Sequence, residues 1–219
     1  MLMRRWTRKS PVPIFLAAAF AALLWCRTSL AVPQDSSTAA TQAAEKFSLD
    51  GVPNAGRINE HLYRGAQPKP QGFQALHKLG IGIVVDLHNI GAQQDKEQRE
   101  VESLGMRYVA IPLSSTHRPS DEQAAEFLKI LLYNPGERIF VHCNLGADRT
   151  GVMIGAYRMS VQNWTPRQAM SEMRAFHFHH LWLPYMTSFV NEFPGKFASD
   201  PKFQPLRSSA AIPPSGHSN

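Results

Sequence analysis

The sequence predicts an α/β sandwich of three layers, with a mostly parallel central sheet of about four to five strands flanked by helices. Three observations carry that expectation. Strand signals alternate with helix signals along the chain, the order that produces parallel pairing. Ile81, Ile83, Val84 and Val85 form a nearly continuous apolar run, and Ile139-Phe140-Val141 forms another. Such runs suit strands covered on both faces. The segments between them carry helix start and stop signals.

The strands are expected at Ile58–Arg64, Ile81–Leu87, Arg107–Ile111 and Arg138–Val141. Pro70–Leu79 reads as a helix with proline in its first turn and Gly80 at its stop. Gln93–Leu104 is polar with an apolar edge and stops at Gly105. Ser120-Asp121-Glu122-Gln123 is a capping box. It opens a helix with Ala124, Phe127, Leu128, Leu131 and Leu132 on one face, ended by Asn134-Pro135-Gly136. Thr165-Pro166 caps a helix reaching about Phe176, and a last helix runs from Pro184 to Phe193. Trp164, Phe176 and Trp182 are expected in the core. Arg64 and Gln67, after an early strand, could contact substrate, but a turn role is expected.

Around this unit, residues 1–31 read as a secretory signal. Arg4, Arg5, Arg8 and Lys9 precede an apolar stretch from Val12 to Cys26, and Ser29-Leu30-Ala31 offers small residues for cleavage. That stretch is short for a bilayer span, which needs about 20 residues. The expectation is export to the periplasm or beyond; the alternative is an uncleaved anchor, the one expected contact with membrane. Residues 32–48 are Ala/Ser/Thr/Gln-rich and read as a linker, 49–200 as the domain, and 201–219 as a disordered tail.

Hydrophobic content of 43% and charged content of 18% indicate a folded chain. The net charge of +6 resides mostly in residues 1–31, which hold five basic residues and no acid. The remainder has 18 basic and 17 acidic residues, so it offers no basic footprint for nucleic acid. The only cysteines are Cys26 and Cys143. Once a signal is removed, Cys143 is alone, and a lone thiol in an oxidising compartment is easiest to understand if it works.

Ile139-Phe140-Val141 leads into His142-Cys143, and the loop Asn144-Leu145-Gly146-Ala147-Asp148 is followed by Arg149-Thr150-Gly151 and an apolar helical stretch. Strand, tight loop and helix N-terminus make an anion site, because backbone N–H groups and the helix dipole converge there. Residues 144–149 are therefore the expected substrate-binding loop. Those N–H groups and Arg149 would favour the thiolate of Cys143, the form that attacks phosphorus. Arg149 can grip two phosphoryl oxygens with its planar fork. Thr150 can donate its hydroxyl to the sulfur. His142 is expected to orient the loop through backbone bonds. Asp86, at a strand end, is expected either to orient Arg149 or a loop amide, or to face water.

The run His142-Cys143, five residues, Arg149-Thr150-Gly151 resembles the motif of the protein tyrosine/dual-specificity phosphatase superfamily. Leu62-Tyr63-Arg64-Gly65-Ala66-Gln67-Pro68, Val84-Val85-Asp86-Leu87 and Ile111-Pro112 are similar to segments of its compact bacterial members. The resemblance spans about Ile58 to Phe193. It implies phosphomonoester hydrolysis through a cysteinyl-phosphate, with no cofactor or metal. It also implies a general acid, an aspartate on the loop before the active-site strand.

Here that loop, Leu113 to Asp121, departs from the pattern: no Asp stands near Ser115 or Thr116. Asp148, inside the phosphate loop, is the first candidate, since some bacterial tyrosine phosphatases place an Asp there. Asp121 and His117 are the alternatives. Apart from Arg149 the loop carries no base, which disfavours highly anionic inositol phosphates. The expected substrate is a phosphorylated protein or small aryl phosphate. An inositol-phosphate phosphatase, an inactive phospho-ligand binding module and a rhodanese-type sulfurtransferase remain as other readings. His177-Phe178-His179-His180 could suggest a metal, but a helix-end packing role is expected instead.

Overall fold

The computed structural model describes residues 42–89 and 91–210; the expected signal segment therefore lies outside the described residues, as does most of the linker. Six strands form one sheet: β1 (Glu45–Lys46), β2 (Gly56–Arg57), β3 (Leu62–Ala66), β4 (Ile81–Asp86), β5 (Arg107–Ala110) and β6 (Arg138–Cys143). Their order is β1-β2-β3-β6-β4-β5. The last four positions are parallel, as the apolar runs required, while β1 and β2 add an antiparallel edge. Both edge strands are two residues long, too short to leave an alternation in the sequence.

Seven helices surround the sheet: α1 (Pro70–Lys78), α2 (Ala92–Ser103), α3 (Asp121–Leu132), α4 (Asp148–Val161), α5 (Pro166–Ala175), α6 (Pro184–Ser199) and α7 (Gln204–Ala210). The capping box expected at Ser120 forms, and the Thr165 cap proves to be a second one. Ser120 accepts from the Gln123 amide and Thr165 from the Gln168 amide, with each glutamine side chain reaching back.

The strands sort their side chains by parity. Tyr63, Val84 and Phe140 face Phe73 and Leu76 of α1 and Val101 of α2. Leu62, Ile83, Val85, Ile139 and Val141 face the larger layer of α3 to α7. The central helix α4 is buried at every residue from Thr150 to Ser160, so it sits inside that layer. Between α4 and α5 lies a buried ion pair: Arg158 donates to both oxygens of Glu172, at 3.1 and 2.6 Å. Glu172 also accepts the Ala44 amide at 2.7 Å, which ties the chain before β1 to the domain.

Two boundaries differ from expectation. Residues 42–48 enter the sheet through β1 instead of forming a linker. The tail expected to be disordered continues through a 3-10 turn (Pro201–Phe203) into α7, with Phe203 and Leu206 fully buried. Its Ser/Pro/Ala composition hides two apolar anchors three residues apart, which is enough to dock one turn of helix.

Candidate active site

β6 delivers Cys143 as its last residue, and α4 begins five residues later at Asp148. The loop between them is short because Gly146 takes a left-handed φ of 63°. A Cβ there would stand 2.3 Å from the Gly65 carbonyl oxygen, so the position excludes any side chain. Cys143 is buried and free.

Three consecutive carbonyls of this loop are held from outside. Asn144 O accepts the Gln67 amide at 3.1 Å. Leu145 O accepts from Asn54 Nδ2 at 3.1 Å. Gly146 O accepts from Arg64 Nη2 at 2.6 Å. A trans peptide sends its C=O and the next N–H in opposite directions, and no peptide of the described residues is cis. The N–H groups of Leu145, Gly146 and Ala147 are thereby turned away from those anchors.

Arg149, in the first turn of α4, donates from Nη1 to Leu87 O at 3.2 Å and at longer range to Leu113 O at 3.5 Å. Its Nε and Nη2 have no hydrogen-bond partner among the described residues. Leu87 also donates its amide to His142 O at 3.0 Å, so one residue after β4 holds both ends of the loop. This is the backbone role expected of His142. Thr150 differs from expectation: its hydroxyl is buried but has no partner among the described residues, the sulfur included.

Below the loop lies a buried polar cluster on the α1/α2 side. Asp86 accepts from the His88 amide at 2.8 Å, from His88 Nδ1 at 2.6 Å and from the Tyr108 hydroxyl at 2.7 Å. Burial pushes its carboxyl up, but the His88 bond, the charge of His142 and the Tyr108 bond outweigh that and hold it well below the usual carboxylate range. Asp86 thus fixes the strand end that carries Leu87 and contacts neither Arg149 nor a loop amide. The fully buried His142 ring stacks on Phe140 and lies 2.7 Å from Glu97 Oε1, at an angle outside hydrogen-bond geometry. Glu97 in turn accepts from Gln67 Nε2 at 2.7 Å. Asp86, His88 and His142 bring possible metal-ligand atoms within 4.8 Å of one another. Because both Asp86 oxygens are engaged by His88 and Tyr108, the grouping reads as a structural network.

The acid candidates separate clearly. Asp148 sits at the loop, its Oδ1 accepting the His179 amide at 3.0 Å, with His179 Nδ1 3.1 Å from both oxygens. Asp121 turns to Lys196 of α6, 3.6 Å away. His117 is exposed, its Nδ1 beside the Ser114 and Thr116 hydroxyls. The histidine-rich segment therefore serves the loop through His179, while Phe178 packs in the core. Trp164 and Phe176 are buried as expected, but Trp182 is 80% exposed, with Leu181 beside it at 79%.

Sequence reasoning missed Asn54, Tyr108 and Glu97, and placed Arg64 in a turn. Arg64 is instead a fully buried residue of β3. Its guanidinium lies 4.0 Å from the centre of the Phe176 ring.

Residues 41–182 match the family described as DSP-PTPase phosphatase fused to NAD+ kinase. The chain belongs to this family. It is a cysteine-dependent phosphatase of the protein tyrosine/dual-specificity superfamily. It is 29% identical over 139 residues to the dual specificity protein phosphatase TpbA of Pseudomonas aeruginosa, covering 63% of this chain and 61% of TpbA. It is 28% identical over 131 residues to the inositol diphosphatase SIW14 of Saccharomyces cerevisiae, covering 57% of this chain and 46% of that protein. The crystal structure of TpbA superposes with a TM-score of 0.60 at 22% identity, covering 78% of this chain and 97% of that one. TpbA has also been crystallised, as a Cys-to-Ser variant, with phosphotyrosine.

Proposed function

We propose that this phosphatase acts on phosphotyrosine or related aryl and protein phosphates, with Cys143 as nucleophile, Arg149 as phosphate clamp and Asp148 as general acid. The observation that carries the reading is the loop itself. Three tethered carbonyls turn their partner amides away from Gln67, Asn54 and Arg64, and among the described residues Arg149 is engaged only through Nη1, which leaves its other edge for an anion.

The chemistry then runs in two displacements. The Cys143 thiolate attacks phosphorus opposite the leaving oxygen; an S–P bond forms as the P–O bond breaks, and Asp148 gives its proton to the departing oxygen. Water then attacks the cysteinyl-phosphate and passes a proton to Asp148. The S–P bond breaks, releasing inorganic phosphate and restoring the thiolate. Loop amides and Arg149 hold the equatorial oxygens throughout.

Asp148 is favoured over its rivals by position. It stands at the loop, whereas Asp121 is paired with Lys196 and His117 lies among exposed hydroxyls. Its test is the pH–rate profile of Asp148→Asn beside Asp121→Asn: loss of the limb due to the acid in the first alone supports the assignment, and loss in the second alone overturns it.

The substrate class rests on the rim. Leu145 of the loop is exposed, Leu181 and Trp182 are almost bare, and Arg149 is the single base between Cys143 and Gly151. Such a mouth suits an aromatic or apolar flank better than a ring of phosphates. The likeness to SIW14 makes inositol pyrophosphate the second reading. A higher kcat/KM for a phosphotyrosine peptide than for an inositol pyrophosphate is expected; the reverse order contradicts the proposal.

We further infer export, from the basic and apolar N-terminus. Cell fractionation with N-terminal sequencing of the mature protein tests it, and a cytoplasmic chain beginning at Met1 overturns it.

A further inference from the structure

Arg64 is costly to the fold. It is fully buried; Nη2 serves Gly146 O, but Nε and Nη1 have no hydrogen-bond partner among the described residues. Its buried neighbour Glu172 is already paired with Arg158. Burying a cation without full compensation is unfavourable, and such costs concentrate where function uses them.

The surroundings show what fixes it. Arg64 is opposite Val141 in the parallel β3–β6 register, two residues before Cys143 on the same face of the strand. On its other side it pairs with Gly56 of β2. A Cβ on Gly56 would stand 2.6 Å from the Phe176 ring and 3.3 Å from Arg64 Cγ. The glycine therefore makes room for Phe176 to stack on the guanidinium. Burial lowers the guanidinium pKa to about 10, opposed by the charges of Glu172 and Cys143 and reinforced by that of Arg158.

Asn54 works from the same side. Its backbone is left-handed, with φ 52°. Its Nδ2 bridges Leu145 O at 3.1 Å and Phe176 O at 3.3 Å. Phe176 thus anchors both residues, stacking on one and accepting a bond from the other.

We propose that Arg64 and Asn54 are positioning residues that set the oxyanion geometry of the loop: they seize the carbonyls of Gly146 and Leu145 from behind and so aim the N–H groups of Ala147 and Gly146 at the phosphoryl oxygens. This rests on the phosphatase reading for its substrate, but not for the existence of an anion site. Removing either tether frees one peptide to rotate and turns a carbonyl dipole toward the anion. The loss falls on kcat more than on KM, because the amides are aimed at the charge of the transition state.

The test uses Asn54→Gly, which keeps the left-handed backbone while deleting the donor, and Arg64→Met, which keeps the bulk of the stem. Steady-state kinetics on an aryl phosphate are measured on each variant with Cys143 intact. Calorimetric titration with tungstate is done on each in a Cys143→Ser background. Kcat is expected to fall by about 10-fold or more in Asn54→Gly and about 100-fold in Arg64→Met, with KM changed little. Tungstate should bind about 10-fold more weakly in both. If Arg64→Met does not fold, Asn54→Gly, at a partly exposed site, carries the test alone. Tungstate affinity and kcat both within two-fold of the parent in the folded variants would overturn the proposal. An inactive parent that binds tungstate, with binding weakened in the variants, would remove the phosphatase reading and leave the positioning role standing.

Discussion

At the scale of single residues, the site depends on a few positions that tolerate no substitute. Gly146 combines a left-handed backbone with a Cβ direction that runs into the Gly65 carbonyl. Gly146→Ala must move backbone against backbone, so it should cost about 1–3 kcal/mol of stability and lower kcat/KM by about 100-fold. Chemical denaturation and steady-state kinetics check the two parts separately. Gly151 is different, since a Cβ there would meet the flexible Met173 side chain at 3.3 Å. Asp86 gives a pH-dependent counterpart. Its folded carboxyl titrates below the unfolded value of about 3.9, so its contribution is present above that value and is lost as pH falls through the folded one. Asp86→Asn should be less stable than the parent by about 2 kcal/mol at neutral pH. That gap should narrow below about pH 4, where the unfolded parent's Asp86 takes up a proton while the folded carboxylate stays charged. Urea unfolding at pH 7 and pH 3 measures it. A gap that stays constant between the two would show that Asp86 acts through shape alone.

At the scale of elements, Glu172 links three pieces of chain. It holds Arg158 of α4 from its place on α5 and accepts the Ala44 amide before β1. Removing one partner of a buried pair strands the other, so Glu172→Ala should destabilise by about 3–5 kcal/mol in denaturant unfolding. How far elements were legible follows from their physics. The parallel strands β4 and β6 were readable because burial on both faces forces continuous apolar runs. Helices α3 and α5 were readable from a capping box at Ser120 and a Thr165-Pro166 cap, which are local chemistry. The phosphate loop was readable for the same reason: Cys143, Gly146 and Arg149 act within seven residues of chain. Arg64 and Asn54 were not, since they meet that loop 82 and 91 positions away, and a single arginine in a strand does not announce a carbonyl that distant. The burial of Glu97 in a mostly polar helix was hidden likewise, because it is set by His142 and Gln67 across the sheet. Trp182 was misplaced because aromatic character favours burial only on average, and in a connecting segment no periodicity assigns it a face.

At the scale of the whole molecule, the domain is larger than its phosphatase motif suggests. The family match ends at residue 182, yet α6, the 3-10 turn and α7 complete the apolar layer behind α4. Phe203 stacks edge-on against Phe193 at 5.5 Å between ring centres, and Leu206 is fully enclosed. A chain ending at Asp200 should therefore lose about 4 kcal/mol relative to one ending at Ala210, the burial of two large side chains. Equal thermal stability of the two would show that the C-terminal helix is a passenger. Among the described residues no helix is long and apolar enough to cross a membrane, which leaves the question of tethering with residues 1–31. The catalytic end of the sheet is assembled from both layers. Cys143 faces the α4 layer, His142 the α1/α2 layer, and Leu87 binds His142 O through its amide and Arg149 through its carbonyl.

The most direct test is an acid-quenched reaction of the intact enzyme with an aryl phosphate, followed by mass spectrometry of the peptide that holds Cys143. A phosphoryl adduct on that cysteine, present within the first turnover and missing in Cys143→Ser along with turnover, is the predicted result. Continued hydrolysis by the serine variant, or turnover by the parent with the phosphoryl group on another residue, would contradict it.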